Sequence, residues 1–457
     1  MKLTTWLGGL GIAVALHGLA WAARPPTTES VGDDPSVPAP QLAQAPAPAP
    51  SPDSAPTTTT PATPPANGPV IVMPPDEPPP AAPSQVEPEP EPPPVPRGID
   101  PQLASNQSFA TNLGAGRRIP IGAYGEAMML AMQNETQLRL RRVVLFFGYE
   151  FADWAAVYSE LEVEDVSNFE IEQSYLEFKP FKKLKLGFRV GLLLIPLGII
   201  NLYHEPPTFN GVDRPQVDQL ILPSTWRELG AGVFGTIVPG LHYQVVGVAG
   251  SDGSKFTAGG AIGPGLARGF QLNTQNWALA GRINFNRILG LDVAAGFYYG
   301  TANQKDSNLF GIQVGIIEAD ARFTRWGLSL RAEYARIFID GADKITNLIR
   351  ATAPTASAIG SAAQGFYLEA GYNLLHPVVR TEQQLVVFGR YEYVDTRAAL
   401  PVVTNPGYTD ALQFLTAGVT YRPKLELAIK FDYRRTLTGL DGSGGNNRYS
   451  LGVAFMY

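Results

Sequence analysis

The sequence predicts an all-β protein: a transmembrane antiparallel β-barrel of about 16 strands behind a disordered, proline-rich N-terminal segment. Three observations predict it. The final stretch, Arg448–Tyr457, alternates strictly, with Tyr449, Leu451, Val453, Phe455 and Tyr457 on one face and small or polar residues on the other. That is the period of a strand with lipid on one side. Similar stretches follow one another from Ile121 onward, joined by connections that are alternately long and short, as in barrels with short periplasmic turns and long outer loops. Beyond residue 22 no apolar run is long enough for a transmembrane helix.

In chain order, Met1–Ala22 has Lys2, an apolar core from Leu3 to Leu19, and Ala20-Trp21-Ala22 as a small-x-small cleavage site. It reads as a secretory signal peptide. Residues 23–101 hold 27 of the 41 prolines. Proline lacks the amide hydrogen that helix and sheet ladders need, and the stretch has little apolar mass to bury. An extended, partly polyproline II periplasmic linker is expected, acting as a spacer or as a tether touching peptidoglycan. The barrel is expected over 102–457.

Its strands are expected at Ile121–Met132, Leu138–Phe151, Ala156–Glu164, Phe169–Phe178, Leu184–Leu194, Trp226–Val238, Leu241–Gly250, Trp277–Phe285, Leu291–Gly300, Leu309–Phe323, Leu328–Phe338, Gly365–Asn373, Leu385–Asp395, Ala411–Arg422, Leu425–Arg434 and Arg448–Tyr457. The even count returns both termini to the periplasmic side. Side chains cannot fill so wide a barrel, so an aqueous channel is expected. A charge facing lipid near the midplane costs roughly 2–4 kcal/mol, so the charged strand faces must look inward. They give Lys185, Arg189, Arg282, Arg331, Arg390 and Lys430 as pore-lining bases, with Glu160, Glu162 and Glu164 among the acids. Rings of such charge select ions. Many must also pair along the wall, as Arg331 with Glu333 and Lys430 with Asp432 can.

Composition narrows the function classes. Of 35 basic and 41 acidic residues, three and ten fall before residue 102, leaving 32 and 31 in the remainder. No basic domain is left to bind nucleic acid. There is no cysteine, so disulfides, thiolate metal sites and cysteine catalysis are out. His204, His242 and His376 are isolated, and no G-x-S-x-G or H-E-x-x-H motif occurs. No enzyme, metal site or cofactor is expected.

The segment Ile195–Gly235 carries His204-Glu205-Pro206-Pro207-Thr208-Phe209, then Gly211-Val212-Asp213-Arg214, then Pro223, Thr225, Trp226 and Gly230-Ala231-Gly232. With Gly148–Phe151 and Ser159–Glu164, it resembles the porins grouped with the phosphate-selective porins O and P. The likeness spans about Gly122 to Tyr457. It implies an outer-membrane pore, commonly trimeric, whose third loop folds inward as a constriction; here that loop is 195–225. Glu205, Asp213, Arg214 and Asp218 are the charges that would rim it or latch it to the wall. The phosphate-specific members have a lysine-rich throat, whereas Ile195–Trp226 has no lysine and one arginine.

Passive diffusion of small hydrophilic solutes or inorganic ions, anions such as phosphate included, is therefore the expected function, with outer-membrane lipid and two further copies of the chain as partners. Two rivals differ in kind. A structural barrel tethering outer membrane to cell wall would be plugged by its loops. An oligosaccharide channel would show an aromatic row, of which only Tyr298 and Tyr367 are legible.

Overall fold

The computed structural model describes residues 119–181, 185–270, 276–303, 309–377, 382–401, 411–438 and 445–457. The signal peptide and linker expected before residue 102, and the expected barrel's first residues to 118, lie outside the described residues.

Among the described residues, sixteen strands form one closed barrel. They are β1 (Ile121–Met132), β2 (Thr136–Ala152), β3 (Ala155–Glu164), β4 (Asn168–Phe181), β5 (Leu186–Leu194), β6 (Arg227–Val238), β7 (Leu241–Ala249), β8 (Trp277–Phe285), β9 (Leu291–Thr301), β10 (Gln313–Arg325), β11 (Leu328–Asp340), β12 (Ala362–Asn373), β13 (Gln384–Ala399), β14 (Leu412–Lys424), β15 (Leu427–Thr438) and β16 (Asn447–Met456). Each pairs with its sequence neighbours, and β1 closes on β16 from Tyr124↔Met456 to Met132↔Arg448. β1 and β8 run as expected. β10 starts later than expected because Gly311 sits at φ 85° and Leu309 and Ile312 are buried in a turn. A helix, α3 (Ala342–Thr352), occupies part of the expected loop after β11.

The faces segregate as a barrel in lipid requires. On β16 Leu451, Val453 and Phe455 are exposed, whereas Ser450, Gly452 and Ala454 are buried. On β15 Ile429 and Phe431 point out, and Lys430 and Asp432 are buried. An apolar belt outside and charge inside inverts the arrangement of a water-soluble domain.

Two of the register shifts between strands place extra charged side chains inside the barrel. Between β1 and β2 the register shifts after Glu126↔Arg142, so Arg141 is the extra residue and both arginines turn inward. Between β3 and β4 Glu160 pairs with Gln173 and Leu161 with Ile171, so Glu172 is extra and joins Gln173 inside. A bulge re-aims side chains this way while the ladder continues beyond it.

The expected inward loop is joined inside the barrel by other long connections. Ile195, Leu197, Ile199, Val217, Ile221, Leu222 and Trp226 from the connection after β5 form one hydrophobic core with Phe256 and Ile262 from the connection after β7 and Ile345 of α3. Wall residues Val246, Val248, Ile316, Ile337 and Val394 complete it. Tyr298 and Tyr367 are buried in the same core. The long connections carry apolar residues, and the inside of the barrel is where they can leave water.

Candidate functional site

The segment between β5 and β6 folds into the barrel. Its ends are fastened to each other: Ile195 N donates to Trp226 O at 2.9 Å. The buried Asn201 side chain donates to Ile195 O at 2.7 Å and accepts from Trp226 N at 2.7 Å. One amide thus bridges both strands of the loop base. Helix α1 (Ile199–Leu202) starts the inward turn, and Glu333 of β11 accepts from Ile199 N at 2.8 Å. Nearby, a Cβ at Gly296 of β9 would stand 2.4 Å from Leu197, so the loop seats where the wall is bare.

Pro206 and Pro207 then supply carbonyl acceptors without amide donors, and basic wall residues take them. Lys430 donates to Pro206 O at 2.6 Å, Arg422 to Pro207 O at 2.9 Å and Arg331 to Thr208 O at 2.8 Å. Lys430 also sits 4.0 Å from the centre of the Phe209 ring. Further on, acidic wall groups take the loop's amides: Val212 N donates to Asp432 at 2.6 Å, and Gln216 N donates to Glu392. Charges on the inward wall faces therefore hold the loop.

The four loop charges occupy that contact. Asp213 lies 2.8 Å from Arg141 of β2 and 2.9 Å from Arg448 of β16. Burial pushes its carboxyl up, but the two guanidiniums outweigh this and hold it well below the usual carboxylate range. Arg214 is buried and donates to His204 O; burial, with Arg142 and Arg141 nearby, brings its pKa down to about 10. Asp218, in helix α2 (Val217–Leu220), has no exposed surface, and burial pushes its carboxyl up to about 8. Glu205 is buried and is likewise raised, chiefly by burial.

The wall residues divide. Arg390 is buried beneath the loop, bonded to Glu369 at 3.1 Å and Glu392 at 2.9 Å. Glu160 and Glu162 are buried, with Arg142 3.4 Å from Glu162. Glu164 is half-buried at the end of β3. Lys185 belongs to the turn before β5, not to a strand face, and is exposed at φ 48°.

A cavity of about 530 Å³ remains beneath the loop, on the side of the short turns. Leu202 and Tyr203 of the loop bound it above, and β3–β8 wall it. Lys179, Lys185, Arg189 and Arg282 line it against Asp153 and Glu177. Arg189 bonds Glu177 at 2.8 Å and lies over the rings of Phe234, at 4.4 Å, and Tyr175, at 5.1 Å. Arg282 is held by Asp320 at 2.5 Å and Glu318 at 3.2 Å.

Glu126, Arg141, Arg142, Glu172 and Glu177 are inward charges that alternation alone does not identify. For Arg141 and Glu172 the cause is a bulge, which one sequence does not mark. His204 read as isolated, yet its Nε2 lies 3.5 Å from Glu172 and 3.7 Å from Glu160.

A closed barrel with charge turned inward and a loop folded across its lumen is the class that fold and site define. An Aquifex aeolicus (strain VF5) protein described as "Uncharacterized protein" is 33% identical over 358 residues, spanning 74% of this chain and 80% of that one. This chain belongs to the same family as that protein. No protein-family model matches it. Similar solved structures include a loop L8 deletion mutant of OmpT, an outer membrane protein of Vibrio cholerae, with TM-score 0.49 and 11% identity, covering 74% of this chain and 99% of that one. Salmonella typhi OmpF in complex with daunomycin has TM-score 0.49 and 9% identity over 74% of this chain and 97% of its own. Pseudomonas putida OprB has TM-score 0.47 and 12% identity over 74% and 93%. Values this low say nothing of what the chain does.

Proposed function

We propose that the chain is an outer-membrane porin through which small hydrophilic solutes diffuse passively, with anions favoured. The observation that carries this is the cavity between the inward loop and the β3–β8 wall, where Lys179, Lys185 and Arg189 face two carboxylates, Asp153 and Glu177, and Arg282 stands with its own partners Asp320 and Glu318. A partly desolvated cationic lining attracts anions and repels cations, and its effect weakens as salt rises. Phosphate belongs to this proposal as one such anion, on the resemblance of the loop motif. So do the homotrimer and the contact of the proline-rich segment with peptidoglycan.

A second reading has its own observation. The hydrophobic core of long connections inside the barrel favours a plugged barrel that ties the outer membrane to the cell wall. Planar-bilayer recording separates the two. A diffusion channel gives steady conductance and a reversal potential of anionic sign, and a plugged barrel gives none.

A further inference from the structure

We propose that Glu160, Glu172 and His204 form a binding site for a divalent transition-metal ion of the zinc class, which staples the inward loop to the β3–β4 wall. The three side chains come from three elements and bring one ligand atom each to within 4.8 Å of one another. Nothing in their sequence spacing marks them, because the bulge that turns Glu172 inward and the loop that carries His204 are both needed to bring them together.

The atoms involved have no partner outside the cluster. Glu160 Oε2, Glu172 Oε1 and His204 Nε2 are buried and have no hydrogen-bond partner. The residues are 2%, 0% and 2% exposed. Leaving three such atoms unpaired costs far more than burying carbon. The nitrogen stands 3.5 and 3.7 Å from the two oxygens, beyond a good hydrogen bond. Those spacings approach the edge of a tetrahedron with metal bonds of about 2.0–2.1 Å, which is roughly 3.4 Å.

The surroundings orient the ligands as an outer shell does. His204 Nδ1 is 3.2 Å from Asn201 O. A proton on Nδ1 donated to that carbonyl leaves the Nε2 lone pair facing the carboxylates. Tyr124 donates to the other oxygen of Glu172 at 2.6 Å. The neighbouring acids are already matched: Arg142 lies 3.1 Å from Glu126 and 3.4 Å from Glu162. Two carboxylates and one imidazole suit zinc, manganese or iron better than a soft ion, with water completing the coordination.

The test uses the full chain, without a polyhistidine tag, in detergent after exhaustive chelation. Titration with Zn²⁺ against a fluorescent chelator is expected to show one site per chain, weakened at least tenfold in Glu172→Gln and in His204→Gln but not in His242→Gln. Zn²⁺ is also expected to raise the temperature at which the barrel loses its resistance to SDS, and EDTA to reverse this. Should the site variants fail to fold, Co²⁺ added to the unaltered protein decides: a visible spectrum of a low-symmetry site with one imidazole nitrogen supports the proposal. Absence of stoichiometric binding, or Zn²⁺ affinity equal in unaltered protein and Glu172→Gln, overturns it and leaves an imidazolium held between two carboxylates.

Discussion

Asp213, on the inward loop, meets Arg141 of β2 at 2.8 Å, where the β1–β2 bulge sets Arg141 and Arg142 side by side on the inward face. Loop charge and wall irregularity therefore form one device. Arg448 takes the second carboxylate oxygen at 2.9 Å, so the loop tip is tied to both sides of the barrel seam.

Removing that charge tests the latch. Asp213→Asn leaves two guanidiniums without their carboxylate, and breaking a buried pair costs about 3–5 kcal/mol, less here because Asp213 and its partners keep 10–16% side-chain exposure. The expected outcome is faster protease cleavage within 195–226 and noisier single-channel current, with the barrel intact. Unchanged proteolysis would show that the loop is held without Asp213.

Acid should leave this latch alone over most of its range. A carboxyl held below its ordinary value contributes stability that is fully present above its unfolded pKa of about 3.9 and is lost as pH falls through the lower folded value. The coupling between Asp213 and Arg448, measured by a double-mutant cycle, is expected to be constant from pH 7 to 5 and to decline only below about pH 4.

Asp218 has the opposite sign. Its folded carboxyl is raised to about 8 by burial, so its contribution is fully present below the unfolded value of about 3.9 and is lost as pH rises through the folded one. Asp218→Asn mimics the protonated form. Its barrel is expected to lose less stability between pH 5 and 8 than the unaltered protein, read by urea unfolding in detergent. Parallel pH curves would place the titration elsewhere.

The assignment of faces is tested on β16. Val453 is 47% exposed on the outward face, so Val453→Arg is expected to cost roughly 2–4 kcal/mol of folding free energy in a bilayer if it lies near the midplane. The inward Ser450 is 1% exposed, and Ser450→Ala should stay within about 1 kcal/mol. Equal costs at both positions would contradict a lipid-facing belt.

Much of this molecule was legible from alternation. The sixteen strands and their order of long and short connections follow from period-two patterning and from where that patterning stops; that the loop after β5 turns inward rested on the likeness to porins. What was not legible has physical causes. The apolar run at Leu309–Ile312 reads as strand, but the left-handed Gly311 makes it a turn that buries Leu309 and Ile312 and leaves Phe310 exposed. Helix α3 was readable in principle, since Ile345, Leu348 and Ile349 recur at helical spacing. Glu172 and Arg141 were not, because an inserted residue reverses the face of everything beyond it until the partner strand is known. Charges such as Arg390 and Lys430 were read inward, but their role in holding loop carbonyls depends on contacts 177 and 224 residues away along the chain.

The central claim is tested most directly by the current the purified barrel carries in a planar bilayer under a salt gradient, alone and as Lys185→Glu. Lys185 is exposed in the cavity lining and lies outside the loop–wall contacts. The account predicts steady conductance, a reversal potential of anionic sign, and a shift toward cations in the variant. A barrel that inserts but carries no current, or a reversal potential unmoved by Lys185→Glu, would contradict it.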